Sequence, residues 1–162
     1  MTSPLPLAWD TTLLSRVRPG SDDLDLVMDR WATGDPVATP ATAVHEVAYG
    51  LAKVDDPRAA TMLALMRGSI EVGALTVLPF DAAAAILAGE VLALRPDPPP
   101  APRDRRQRAR RRIAWHMDVH IATTAYVHGY GVLTANVSDH MAVREAIAKA
   151  LPGAPLLTVA PH

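Results

Sequence analysis

The sequence predicts an α/β sandwich: three layers, with a mainly parallel central sheet flanked by helices. Two observations carry this. Short apolar runs alternate with longer segments of helical periodicity, and turn or capping residues mark the joints between them. The 162 residues, 49% hydrophobic and 20% charged, suffice for a single domain (1–162) with a sizeable core. No internal repeat is visible.

Pro6–Trp9 reads as the first strand and ends at Asp10. In the next segment Ser21 is a helix cap, and Asp22 and Asp23 suit the positive end of the dipole. Leu24, Val27, Met28 and Trp31 form its apolar stripe. Pro36–Thr39 is a short strand. A helix follows from near Pro40, with Val44, Val47, Ala48 and Leu51 on its inner stripe. A further helix covers roughly 57–72, and a strand covers 75–78. Asp81 then caps an Ala-rich helix.

Residues 95–102, RPDPPPAP, exclude helix and central strand, because proline removes donors and restricts the residue before it. They read as an exposed extended loop opening a Pro/Arg-rich insertion at about 95–112. A helix carrying Asp118 comes next, then a buried strand at 131–134, a helix at about 140–151 and a last strand at 156–159. Ala122, Thr123, Thr124 and Ala125 are small enough to let their helix lie close to the sheet.

The net charge of −1 gives the whole chain no nucleic-acid signature, yet residues 103–112 hold seven of the sixteen basic residues. That run fits two descriptions: a solvated, disordered insertion, or a phosphate-binding arm. Aromatic residues make up only 4%, so base stacking is not expected to dominate RNA binding. The absence of cysteine excludes disulfides and thiolate metal sites. No apolar run matches a membrane span, and the start lacks the pattern of a signal peptide, so the expected location is the cytoplasm.

Asp118 shares a helical stripe with Ile121, Ala122 and Ala125. Burying an unpaired carboxylate there is costly, so the acid must reach water or meet other charges. Ligands of parallel sheets bind beyond the carboxyl ends of the strands. Asp10 and the segment Thr134–Asp139 lie there, Asp118 sits early in the crossover helix, and Glu46 lies one step off its apolar stripe. Singly, each acid passes as a turn or cap residue. Jointly they describe a site.

The segments LAWDTTLLSRV, ATPATAVHEVAYGLAK and MDVHIATTAYVHGYGVLTANVSDH resemble, in order and spacing, the motifs of PIN-domain ribonucleases, the VapC toxins of toxin–antitoxin pairs. The resemblance runs almost end to end. It implies a PIN-like sandwich and an acidic site of Asp10, Glu46 and Asp118 holding Mg²⁺ or Mn²⁺. The fourth acidic position falls on Asn136, with Asp139 nearby to take part of its role. Thr11 and Thr134 are expected to contact substrate. An RNA substrate, a VapB-like antitoxin and a homodimer are implied as well. Hard carboxylate oxygens suit such ions, which neutralise phosphoryl charge and activate water, so no histidine base is required. Arg105, Arg106, Arg108 and Arg110 are expected to hold the RNA backbone near the cleft.

Competing schemes lack residues. A haloacid-dehalogenase phosphatase needs a second Asp where Thr12 stands, and a receiver domain needs paired acids and a late Lys. His116 and His120 have zinc spacing but no third ligand. The alternative outside enzymology is a catalytically weak or inactive PIN-fold protein acting through its antitoxin or another partner, for which Asn136 is the motive.

Overall fold

The structure, a computed structural model, describes residues 5–99 and 105–162, and of Arg105 and Arg106 the backbone alone. Strands β1 (Leu7–Trp9), β2 (Val37–Pro40), β3 (Leu75–Leu78), β4 (Gly131–Thr134) and β5 (Val159–Pro161) form one sheet in the order β3-β2-β1-β4-β5. Every pairing is parallel, so the expected sheet is found in its fully parallel form. The helices are α1 (Thr11–Leu14), α2 (Asp22–Ala32), α3 (Ala41–Ala52), α4 (Pro57–Glu71), α5 (Ala82–Leu94), α6 (Arg105–Val127) and α7 (Val137–Ala150).

Successive strand residues face opposite sides of the sheet, and this alternation builds two cores. Ala8 belongs to one, with Leu87 and Val91 of α5, Trp115 and Val119 of α6, and Val143 and Ile147 of α7. Trp9 belongs to the other, with Leu13, Val27, Val47 and Met66. Burying each large side chain contributes about 1.5–3 kcal/mol. Helix α6 serves both cores, giving Ala122 and Ala125 to the first and Ile121 to the second. Its residues 122–125 are fully buried, as their small size predicts. The Thr123 and Thr124 hydroxyls donate back to the carbonyls of Val119 and His120 at 2.8 and 2.6 Å, so neither is left unsatisfied.

Gly131 opens β4 where three strands crowd. A Cβ there would stand 2.8 Å from Leu7 Cδ2 and from the Cβ and carbonyl oxygen of Thr158. Only glycine permits that approach.

The Ser21 and Asp81 caps form as predicted, accepting from the amides of Leu24 (3.2 Å) and Ala84 (3.0 Å). Three expectations need correcting. On α2 only Val27 is buried, while Met28 and Trp31 are 39% and 40% exposed, so its stripe is largely surface. The last strand begins at Val159 rather than 156, although Leu157 is buried and the Thr158 carbonyl already accepts from Val132 at 2.8 Å. Helix α7 starts at Val137, three residues before 140, because Asn136 breaks from helical geometry at its N-cap.

The arginine run, open between a solvated, disordered insertion and a phosphate-binding arm, is from Arg105 onward the start of α6. Contacts hold it against the proline-rich segment: Arg112 pairs with Asp97 at 3.0 Å, and Arg111 donates to the Pro99 carbonyl at 3.0 Å. One turn further, the Trp115 indole donates to the Arg95 carbonyl at 2.9 Å. Residues 95–99 are irregular as predicted, but Pro98 is buried. Residues 100–104 of the expected insertion lie outside the described residues. Among the described residues, no helix is long and apolar enough to cross a membrane.

Candidate active site

The acids meet at the carboxyl edge of the two central strands. Asp10 follows β1 directly, and its amide still donates to the Leu133 carbonyl of β4 at 3.2 Å. Its two carboxylate oxygens do different work. Oδ1 caps α1 by accepting from the Leu13 amide at 3.1 Å. Oδ2 accepts from the Thr134 hydroxyl at 2.5 Å and from Thr12 at 3.3 Å. Burial alone would raise this carboxyl; the His140 ring, the Thr134 hydroxyl and the Leu13 amide outweigh it and hold Asp10 below its ordinary range. Asp10 is therefore a firmly ionised, nearly inaccessible carboxylate.

Glu46 stands on the second turn of α3 and accepts from the Thr11 hydroxyl at 2.5 Å. Asp118, its side chain 17% exposed, faces the same space from α6. Burial, then the charges of Asp139, Glu46 and Asp10, push its carboxyl up to about 7 against the opposing influence of His140. Three acids acting on a fourth make this a pocket of concentrated negative charge.

Asn136 has no side-chain capping bond. Its amide nitrogen Nδ2 instead donates to Asp139 at 3.0 Å and to Asp118 at 3.4 Å, while its backbone amide donates to the Thr134 hydroxyl at 2.8 Å. It thus links two carboxylates as a donor.

Of the residues predicted for the site, Asp10, Thr11, Glu46, Asp118, Thr134, Asn136 and Asp139 are linked by these contacts. The arginines are placed differently. Arg108 and Arg110 are exposed on the first turns of α6, and the side chains of Arg105 and Arg106 lie outside the described residues. Among the described residues, the arginine that reaches the acids is Arg111, 3.9 Å from Asp139. His116 is exposed and His120 half-buried against Phe80, with ring centroids 4.6 Å apart, so neither enters the cluster.

Sequence reasoning missed His140. It lies on α7, is 0% exposed, and its Nε2 stands 3.8 Å from both Asp10 Oδ2 and Asp118 Oδ1. The available signal was its stripe: His140 shares α7's inner face with Val143, Ala146 and Ile147, an unusual place for an imidazole.

The donor set is chemically suited to a divalent cation: clustered hard carboxylates, and a buried ring with unbonded nitrogens aimed among them. As placed, however, no three His, Asp or Glu side chains among the described residues are gathered closely enough to hold a metal ion. The fit is one of donors, not of a preformed cage.

No protein-family model and no curated protein sequence matches the chain. Solved structures do. VapBC from Salmonella typhimurium, solved bound to DNA, matches with a TM-score of 0.60 at 20% identity, covering 98% of this chain and 98% of that one. FitAcB from Neisseria gonorrhoeae matches at 0.55 and 17%, covering 95% and 96%. VapBC2 from Rickettsia felis, bound to a DNA fragment from its promoter, matches at 0.55 and 14%, covering 97% and 98%. At these identities the likeness is one of fold. The PIN-like sandwich expected from the sequence motifs is the fold found.

Proposed function

We propose that this chain is a metal-dependent endoribonuclease, the toxin half of a toxin–antitoxin pair, acting on RNA in the cytoplasm. The observation that carries the proposal is the convergence of Asp10, Glu46, Asp118 and Asp139 on one pocket, where burial and the three neighbouring acids push the Asp118 carboxyl up to about 7 against the influence of His140. A cluster that costs the fold this much is explained by a cation that it binds. The fold shared with chains of VapBC and FitAcB complexes supports the toxin role and a VapB-like antitoxin as partner, with a homodimer as the working assembly.

Asp10, Glu46 and Asp118 would hold Mg²⁺ or Mn²⁺, with Asp139 in reserve. A divalent ion supplies charge neutralisation on the phosphoryl oxygens and lowers the pKa of the attacking water. The chain's own residues do the rest. Thr134 and the Leu13 amide fix the orientation of Asp10, and Thr11 fixes that of Glu46. The cationic start of α6 offsets repulsion between RNA and an acidic cleft.

The test is cleavage of RNA by purified protein with Mn²⁺ or Mg²⁺, abolished by chelation. Asp10→Asn, Glu46→Gln and Asp118→Asn should each lower cleavage by at least about a hundredfold, roughly 2.7 kcal/mol, while the circular dichroism spectrum holds. Full activity in all three variants would sink the assignment. Expression without the antitoxin should arrest growth.

A second reading, a weak or inactive PIN-fold protein acting by partner binding, draws on Asn136, which donates to Asp118 and Asp139 where a further acid would ligate. It predicts negligible Mn²⁺ uptake by the folded wild type.

A further inference from the structure

Both ring nitrogens of His140 are buried without a hydrogen-bonding partner among the described residues. A buried polar group left unsatisfied costs about 1–3 kcal/mol. Around it α7 presents Ala142, Val143, Ala146 and Ile147, so a phenylalanine or leucine would fill the same space without that cost. What the imidazole has and an apolar ring lacks is its pair of nitrogens: protonated, the ring faces both carboxylates as a cation, and deprotonated, its Nε2 offers a lone pair. Its Nε2 stands 3.8 Å from one oxygen of Asp10 and 3.8 Å from one oxygen of Asp118, too far for hydrogen bonds to either. The distance suits another relationship. Two donors each about 2.1 Å from one ion stand about 3.0 Å apart at right angles and about 4.2 Å apart when opposed.

We propose that His140 Nε2 is a nitrogen ligand to a divalent ion shared with Asp10 and Asp118, giving the site a preference for first-row transition ions over Mg²⁺. This rests on the metal-dependent reading above and names which ions that site selects. Mg²⁺ favours oxygen donors in strict octahedral geometry, whereas imidazole raises affinity along the series from Mn²⁺ through Co²⁺ to Ni²⁺. Among the described residues the hydrogen bond to Asp118 is the long 3.4 Å contact from Asn136, so the carboxylate can close on an ion at little expense. Asp10 keeps its Oδ1 on the Leu13 amide, while Oδ2, which faces the ring, accepts from the Thr134 and Thr12 hydroxyls and would bind an ion through its remaining lone pair.

The experiment titrates the metal-free protein calorimetrically with MnCl₂, CoCl₂ and MgCl₂ alone, without RNA. Pulsed electron paramagnetic resonance of the Mn²⁺-loaded wild type then looks for coupling to a ¹⁴N nucleus. The expected result is ¹⁴N coupling in the wild type and affinity for Co²⁺ above Mn²⁺ above Mg²⁺. In His140→Phe, which keeps the ring volume, the coupling should vanish. The preference for Co²⁺ over Mg²⁺ should fall by at least the roughly 10–100-fold typical of lost outer-shell partners. The resonance measurement needs no variant, so it decides the matter even if His140→Phe misfolds. Ions bound by the wild type and lost in Asp10→Asn, with no ¹⁴N coupling, overturn the role of His140 and leave the nuclease reading standing. A wild type that takes up no ion overturns both.

Discussion

The Thr134 hydroxyl donates across the two central strands to Asp10 Oδ2 at 2.5 Å, in a buried position that ties the end of β4 to the end of β1. This bond aims the carboxylate and helps to keep it ionised. A hydrogen bond to a charged buried group is worth about 1.5–3 kcal/mol. Thr134→Val, nearly equal in volume, should therefore lower the denaturation midpoint by several degrees, at about 2–4 °C per kcal/mol for a chain of this size. It should also weaken metal binding, because Asp10 loses its orientation. Unchanged melting and unchanged metal affinity would show that the bond contributes nothing.

The stability of the metal-free protein should depend on pH with a sign set by Asp118. Its folded carboxyl titrates near 7, against 3.8 as the ordinary value. The folded state thus holds a proton that the unfolded chain releases. The stability from this group is fully present below pH 3.8 and is lost as pH rises towards about 7. Asp10, held below its ordinary value, acts in the opposite sense and loses its contribution as pH falls through that lower value. Melting temperature without metal should peak in mild acid. Asp118→Asn should flatten the decline towards neutrality and stabilise the protein at pH 7.5 by on the order of 2–4 kcal/mol. A wild-type melting profile flat across that interval would refute this.

Asn136→Asp should shift metal affinity and metal-free stability in opposite directions. It replaces the donor to Asp118 and Asp139 with another acceptor and another negative charge. Without metal the fold should weaken. With Mn²⁺ the affinity should rise by roughly tenfold, about 1.4 kcal/mol. Calorimetry showing no gain would place residue 136 outside the ion's reach.

Replacing Arg105, Arg106, Arg108 and Arg110 with Gln should weaken RNA binding and flatten its dependence on salt, leaving the cut position and turnover at saturating RNA unchanged. Arg110 precedes Asp118 by eight helical residues, about 12 Å of rise, and with Arg108 it is exposed on the first turns of the helix that carries that acid. Arg111→Gln is the contrasting variant. Its guanidinium lies 3.9 Å from Asp139, so its loss should disturb the site as well as affinity. Wild-type affinity and salt slope in the fourfold variant would mean that the run is only a solvated start to α6.

The sheet, the caps and the strand-edge acids were legible because each follows from a local rule: period-two alternation, a side-chain acceptor before a helix, and an acid where a parallel strand ends. The exposure of Met28 and Trp31 was not, since periodicity shows that a helix has an apolar face but not whether anything covers it. The arginine run has no apolar stripe, so periodicity was silent on it, and its contact with Asp97, fifteen residues before Arg112, lies outside any window of helical periodicity. His140 escaped notice for a related reason. Within its own helix it looks like one more inward-facing residue, and only the folded sheet brings it to Asp10, 130 positions earlier.

The crowding around Gly131 has a consequence for genetics. Any side chain there must turn Leu7 aside and push against the Thr158 backbone, so β4 would be forced from the segment that leads into β5 and the edge that carries Thr134 would shift with it. If the chain is the toxin proposed above, a library of variants selected for loss of toxicity should return Gly131 alongside the acids, although it is not one of them. Counting survivors alone would enrol it among the reacting residues. Scoring each survivor for intracellular abundance separates the two classes, because the acid variants persist as folded protein and those at Gly131 are cleared.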